Sequence, residues 1–281
     1  MKEPFLEHKI YFDEYITGNR FIDICQDLGI IFCKTDYLNS FSNLKCKVFV
    51  THNSDYHICE SRERVGPECD HWYAQNKDTQ QDKIISLPIG IENMKRRGKT
   101  PPDARPPSPE PGDVELWNNW AFSSQISGAL EKALLMDKIS SLKLPKTGLV
   151  YMNFNTKTHP TRPCIWSLLE KKNWINKTSN LQMQKFYFDI ASHKFVISPR
   201  GNGVDCHRTW EALYLRTIPI VERSTHMNEF SDLPIFFVNS WDEICYNKLN
   251  KFYKKVENEL FNLDKMKISY WRKAISEKLS V

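Results

Sequence analysis

The stretch FVISPRGNGVDCHRTWEALYLRTIPIVER, residues 195–223, concentrates the side chains best suited to holding an anion. An apolar run ends at Ile197, and a loop follows with Ser198, Arg200, Gly201, Asn202 and Gly203. A helix is expected from about Cys206 to Leu215, with Asp205 as its N-cap, since Asp is a preferred capping type. Glycines let a backbone come close to a ligand and turn N–H groups toward it. The positive pole of the helix favours phosphate at the same place. Arg200 and Arg208 add bidentate donors suited to phosphate oxygens. Glu211 lies three residues beyond Arg208, nearly on the same helical face, where a carboxylate can accept hydrogen bonds from ribose hydroxyls. His207 stands beside Arg208, within reach of a pyrophosphate or packed as a structural histidine. Trp210 is expected in the core.

A transfer reaction at such a site also needs a base. The run Phe49-Val-Thr-His52-Asn-Ser-Asp55-Tyr56 carries an apolar strand directly into His, Asn and Asp. Asp55 and His52 are the candidate bases, with Asp55 ahead; the alternative is that both cap a loop. Asp36 is a weaker rival. The segment Pro88–Asn93, with Gly90 at a turn, follows another apolar run and could line the same cleft. His57, Cys59, Cys69 and His71 form a mirrored His-x-Cys…Cys-x-His, which two His and two Cys could close as a zinc site, but the spacing lacks a CxxC knuckle. Loop residues are the default reading there, and no metal is expected.

These groups must be positioned by alternating strands and helices. Short apolar runs at 30–33, 47–50 and 84–87 read as buried strands in the first part of the chain. In the second part the strands fall at 149–154, 194–198, 218–221 and 235–238, with helices at 162–171, 181–192 and 206–215. Repeated β-α-β order implies parallel sheets covered by helices. Six of the fifteen prolines fall between Pro101 and Pro111, where neither helix nor sheet can persist. The expected division is therefore 1–97, a proline-rich linker or insertion over 98–139, a second α/β unit over 140–245, and basic C-terminal helices over 246–281. Leu249, Phe252, Tyr253, Val256, Leu260 and Leu263 recur at helical spacing behind a capping box, Ser240-Trp-Asp-Glu243.

The chain has 281 residues, 41% of them hydrophobic, and a formal net charge of +5. That apolar fraction excludes general disorder. No run approaches the roughly 20 apolar residues of a membrane span, and no leader is visible, so a soluble cytoplasmic chain is expected. Eight widely spaced cysteines point to free thiols rather than a disulfide framework. Residues 246–281 hold nine Lys or Arg against four Asp or Glu. Such a run could meet nucleic acid, but its aromatics sit at core-like spacing, so a solvated helix face is expected and nucleic acid is not an expected partner.

The pattern SPRGNG-x-D-x-HRTWEAL followed by x-IPIV resembles the donor-binding half of exostosin-type glycosyltransferases, in the form seen in exostosin-like proteins of large algal DNA viruses. The resemblance is specific over about 147–245 and faint over 1–97. It implies a GT-B arrangement of two Rossmann-like domains with a C-terminal helix packing back on the body. It places Arg200 and Glu211 in a nucleotide-sugar pocket, and Arg162, at the helix start after Asn153-Phe-Asn-Thr-Lys-Thr-His-Pro-Thr, at the phosphate. The implied activity is inverting transfer from a UDP-sugar to a hydroxyl of a glycan or glycoprotein acceptor, with UDP-xylose as the expected donor and no cofactor required. A viral origin would place it in the host cytoplasm. Unlike in the animal exostosins, no membrane anchor or long stem is expected. The competing readings are a non-catalytic nucleotide- or sugar-binding module and a nucleic-acid binder acting through the basic tail.

Overall fold

The computed structural model describes residues 2–93, 128–179 and 181–280. The strands and helices, in chain order, are β1 (Lys2–Pro4), α1 (Gly18–Leu28), β2 (Ile31–Lys34), β3 (Lys45–His52), α2 (Glu60–Glu63), β4 (Glu68–Ala74) and β5 (Ile84–Ser86). After these come α3 (Gly128–Ser141), β6 (Gly148–Met152), α4 (Arg162–Leu169), β7 (Ile175–Lys177), α5 (Met183–Ala191), β8 (His193–Ile197) and α6 (His207–Tyr214). The chain ends with β9 (Ile218–Glu222), α7 (Thr225–Asn228), β10 (Phe236–Val238), α8 (Tyr246–Asn258), β11 (Leu260–Asn262) and α9 (Ile268–Ser280).

Two parallel sheets organise these elements. One has the order β2-β3-β4-β5 and the other β10-β9-β8-β6-β7, every adjacent pair parallel. This is a mixed α/β protein with helix-flanked parallel sheets, compatible with a Rossmann-like fold. In the second sheet the chain leaves β6 toward β7 on one side and continues through β8 to β10 on the other. The order reverses between β6 and β8, which makes their carboxyl ends the topological switch point, where open α/β sheets hold ligands.

Local chemistry accounts for the element ends. Thr17 accepts from the Arg20 N–H at 3.3 Å to open α1, and Gly29 closes it with φ 65°. Three helices, α3, α5 and α6, end near one another beneath the second sheet, and two cations meet their carbonyls. Lys146 Nζ donates to Ala191 O at 2.9 Å and Thr217 Oγ1 at 2.7 Å, while Arg216 donates to Ser140 O. Positive charge at helix C-termini opposes the helix dipoles. Burial, and then Arg216, pull the Lys146 pKa well below its usual value.

The apolar core is continuous across both sheets. It runs from Phe5 and Tyr15 through Val50, Met136 and Phe195 to Trp210, Leu249 and Ile275, and a smaller cluster around Phe49 and Trp72 covers the other face of the first sheet. Chain termini stitch the two sheets together. β1 pairs antiparallel with β11, and Tyr15 stacks on Tyr214 with centroids 4.0 Å apart. Tyr214 Oη accepts from the Ile16 N–H and donates to Met266 O, both at 2.9 Å. The last helix, α9, returns to the first sheet, where Tyr73 Oη donates to Ala274 O at 2.9 Å.

Four expectations are corrected. Strand β4 was hidden in the sequence because Glu68, Asp70 and His71 interrupt its apolar residues, although Cys69, Trp72, Tyr73 and Ala74 are buried. The end of the 98–139 segment is helix α3, which packs on α5 and α6; the proline run itself lies outside the described residues. The apolar stripe from Leu249 to Leu263 is not one helix: α8 stops at Asn258, and Leu260 lies exposed on β11. The capping box does not form, because Ser240 Oγ donates to Asp242 Oδ1 and opens only a short 3-10 turn over Trp241–Glu243. Among the described residues no helix is long and apolar enough to cross a membrane.

Candidate functional site

Arg162 sits where the loops after β6 and β8 meet, as the first residue of α4. Its guanidinium is buried and donates to three carbonyls: Nε to Arg200 O at 2.7 Å, Nη1 to Asn155 O and Nη2 to Pro199 O, each at 2.9 Å. Arg162 therefore clamps the two switch-point loops together. Its place in the fold is that of a positioning residue rather than a direct phosphate contact. Burial, with a contribution from nearby Arg208, lowers its pKa.

Arg200 and Arg208 flank this clamp and are less committed. The Nε atom of each is shielded from solvent with no hydrogen-bond partner among the described residues. Arg208 Nη1 reaches Cys206 Sγ at 3.8 Å, and its guanidinium carbon lies 6.0 Å from the Phe186 ring centroid. Among the described residues none of these three arginines forms an ion pair; the arginine that does is Arg272, with Asp27. Burial first, then Arg200 and Arg162, lower the His159 pKa on the neighbouring loop. Buried N–H groups without acceptors are costly, more so on a charged group. The carboxyl ends of β6 and β8 thus form a cationic surface with donors to spare.

The glycines of the loop serve packing. Neither Gly201 nor Gly203 has a left-handed φ among the described residues. A Cβ on Gly203 would stand 2.6 Å from Asn76 Nδ2, so this glycine admits the Asn76 side chain, not an anion. A Cβ on Gly201 would meet Arg162 Nη2 at 3.4 Å. Asp205 is not the helix cap either; Cys206 holds that position. The buried Asp205 carboxylate accepts from the Ile89 N–H at 2.8 Å, Trp210 Nε1 at 2.8 Å and the Cys206 N–H at 2.7 Å, with His226 Nε2 at 3.5 Å. The Asp205 N–H donates to Asn76 Oδ1 at 2.9 Å. These bonds fasten the loop after β8 to the carboxyl ends of the first sheet. Ser198 is buried, its hydroxyl 2.9 Å from Thr209 Oγ1, and so also faces inward.

Glu211 is largely buried on α6, and its Oε1 accepts from Tyr187 Oη at 2.8 Å. Burial and then Glu211 push the Tyr187 pKa well above its usual value, so the phenol stays protonated and keeps donating. Glu92, paired with Lys132, adds to the same field. His207 Nδ1 donates to Gly90 O at 2.8 Å, which leaves Nε2 as an acceptor. Gly90 has φ 65°, and a Cβ there would collide with Ile16 O at 2.2 Å, so only glycine fits this turn.

Of the candidate bases, His52 is fully engaged. Its Nε2 donates to Pro88 O at 3.1 Å, its Nδ1 accepts from the Asn53 N–H at 2.8 Å, and burial lowers its pKa to about 4. It has no lone pair left for an acceptor hydroxyl. Asp55 is exposed and accepts from Asn202 Nδ2 at 3.1 Å, which brings it against the loop after β8. The His/Cys quartet does not converge. His57 Nε2 lies 3.8 Å from Asp78, Cys59 Sγ is 3.2 Å from Ser61 Oγ, and Cys69 pairs with Cys46. Among the described residues no group of three or more His, Cys, Asp or Glu side chains could hold a metal ion.

Tyr187, Asn76 and His226 were not singled out in the sequence. Tyr187 lies in an ordinary amphipathic helix, and nothing local distinguishes it. Asn76, at φ 59°, carries a faint signal, since Asn is among the few residues that tolerate that region. No known family model and no curated protein matches this chain.

Proposed function

We propose that the chain is a soluble, cytoplasmic glycosyltransferase that moves a sugar from a UDP-sugar to a glycan hydroxyl with inversion, its two sheets forming the halves of a GT-B-like arrangement. The observation that carries this reading is the pair Arg200 and Arg208 at the switch point, unpaired with any carboxylate and with their Nε atoms unpartnered among the described residues. A diphosphate supplies the missing acceptors and the missing negative charge. In this reading Arg162 shapes the cradle, Arg200 and Arg208 bind the diphosphate, and Glu211, held by Tyr187, receives the ribose hydroxyls. As the glycosidic bond to the diphosphate breaks, negative charge grows on the leaving oxygen and the arginines stabilise it. Asp55 takes the proton from the acceptor hydroxyl.

The second reading, a non-catalytic nucleotide-sugar binder, has an observation in its favour. The Asp205, Asn76 and His207 bonds tie the loop after β8 to the first sheet, which restricts any opening between the two. The nucleic-acid reading is disfavoured by the tail, whose Tyr253 and Trp271 are buried and whose Lys255, Lys265, Lys267, Arg272 and Lys273 all meet carboxylates. UDP release from a panel of UDP-sugars with glycan acceptors separates enzyme from binder. Turnover that Asp55→Asn abolishes while UDP binding persists supports the enzyme; binding without turnover across the panel supports the module.

A further inference from the structure

Cys46 and Cys69 are direct partners on the parallel strands β3 and β4, so their side chains leave the sheet on the same face. Ladder neighbours stand about 4.8 Å apart, inside the roughly 4.4–6.8 Å Cα window of a disulfide. The pair lies at the rim of the smaller apolar cluster, Cys69 inside it and Cys46 partly accessible. Just beyond them the exposed Lys45–Glu68 pair marks the solvent edge. The two thiols share a hydrogen bond that lowers the pKa of Cys46 and raises that of Cys69. Cys46, the partly accessible sulfur, is the one peroxide can reach, and the buried Cys69 stands next to it on the neighbouring strand.

We propose that Cys46 and Cys69 form a redox-active dithiol, a modification site that hydrogen peroxide converts to an intrachain disulfide. The Cys46 thiolate attacks one peroxide oxygen, the O–O bond breaks, and Cys46 becomes a sulfenic acid as hydroxide leaves and takes up a proton to form water. Cys69 then attacks the Cys46 sulfur, losing its proton, and the sulfenic oxygen leaves as a second water. Two thiols are oxidised and one peroxide is reduced. The new bond ties the amino ends of the two central strands whose carboxyl ends lead to Asn53 and Asn76. Cys25 and Cys33 are buried, and burial raises their thiol pKa values, so they stay out of this chemistry.

The test is peroxide titration of the full folded chain, followed by alkylation and peptide mapping without reduction. The expected result is one intrachain Cys46–Cys69 disulfide, a mass loss of about 2 Da for the two hydrogens, and full reversal by dithiothreitol. Cys69→Ser should instead accumulate a sulfenic acid at Cys46, trapped by dimedone, and Cys46→Ser should leave Cys69 unmodified. Oxidation that falls first on Cys59, or crosslinks between chains through the exposed Cys164 or Cys245 while Cys46 and Cys69 remain thiols, would overturn the proposal.

Discussion

Arg200 and Arg208 differ from Arg162 in what their guanidiniums already hold. Arg162 gives three donors to backbone carbonyls, while the Nε atoms of the other two point at no acceptor among the described residues. Removing a charge-assisted contact costs about 1.5–3 kcal/mol, so Arg200→Ala and Arg208→Ala should each weaken UDP affinity about 10- to 100-fold with little change in melting temperature. Arg162→Ala should lower both together, because it frees the loops that the other two depend on. Calorimetric titration beside thermal unfolding separates the two patterns. Residue type at a strand–loop–helix junction singled out Arg200, Arg208 and Glu211, and the family resemblance added Arg162, whose guanidinium the fold spends on backbone carbonyls instead. His52 was left open between base and loop residue, since only the fold brings Pro88 O to its ring.

The histidines also set a pH dependence. Burial lowers His52 and His8 to about 4 from 6.5. A folded state that resists protonation binds fewer protons than the unfolded chain between those values. The stability these neutral rings confer is complete above pH 6.5 and is lost as pH falls toward 4. Denaturant midpoints should therefore drop steeply through that window, and His52→Gln should flatten the slope. A midpoint independent of pH there would refute the assignment of neutral, engaged rings.

At the scale of elements, the decisive junctions are polar. Asp205 gathers three N–H donors from the first sheet's loop and from α6, and no apolar pattern announces it. Its type suggested a helix cap, but the Trp210 indole and the Ile89 N–H from far along the chain take up the carboxylate instead. Asp205→Ala would leave those donors buried and unpaired, a loss of about 3 kcal/mol or more in chemical denaturation. Lys146→Met should cost about 2 kcal/mol by uncovering the carbonyls where α5 and α6 end. The strands of both sheets were readable from apolar runs, apart from β4, where charged residues share the strand with buried ones, and β7, where Ile175 is the one apolar residue of three. Helix α8 was readable but its end was not, because the stripe continues through β11, whose pairing with β1 lies at the other end of the sequence.

Across the whole molecule, the termini hold the two sheets as one packed body. β1 lies on β11, and α9 buries Trp271 and Ile275 against the core while meeting β3. Deleting residues 268–280 should therefore destabilise the first sheet as well as the tail, seen as early hydrogen exchange in β3 and β4. Unchanged protection there would show that α9 is an appendage. The sequence assigned 246–281 to basic helices, but a return across the molecule depends on Tyr73 and Lys47 meeting the backbone of α9, which no local pattern encodes.

Donor binding, in the proposed function, depends on a diphosphate seated at the carboxyl ends of β6 and β8. Isothermal titration of the chain with UDP, repeated on the Arg200→Ala/Arg208→Ala double variant, tests it most directly. The prediction is saturable UDP binding that weakens with salt and disappears in the double variant while its fold persists. No binding of UDP, or binding that the double variant retains at full strength, would contradict it.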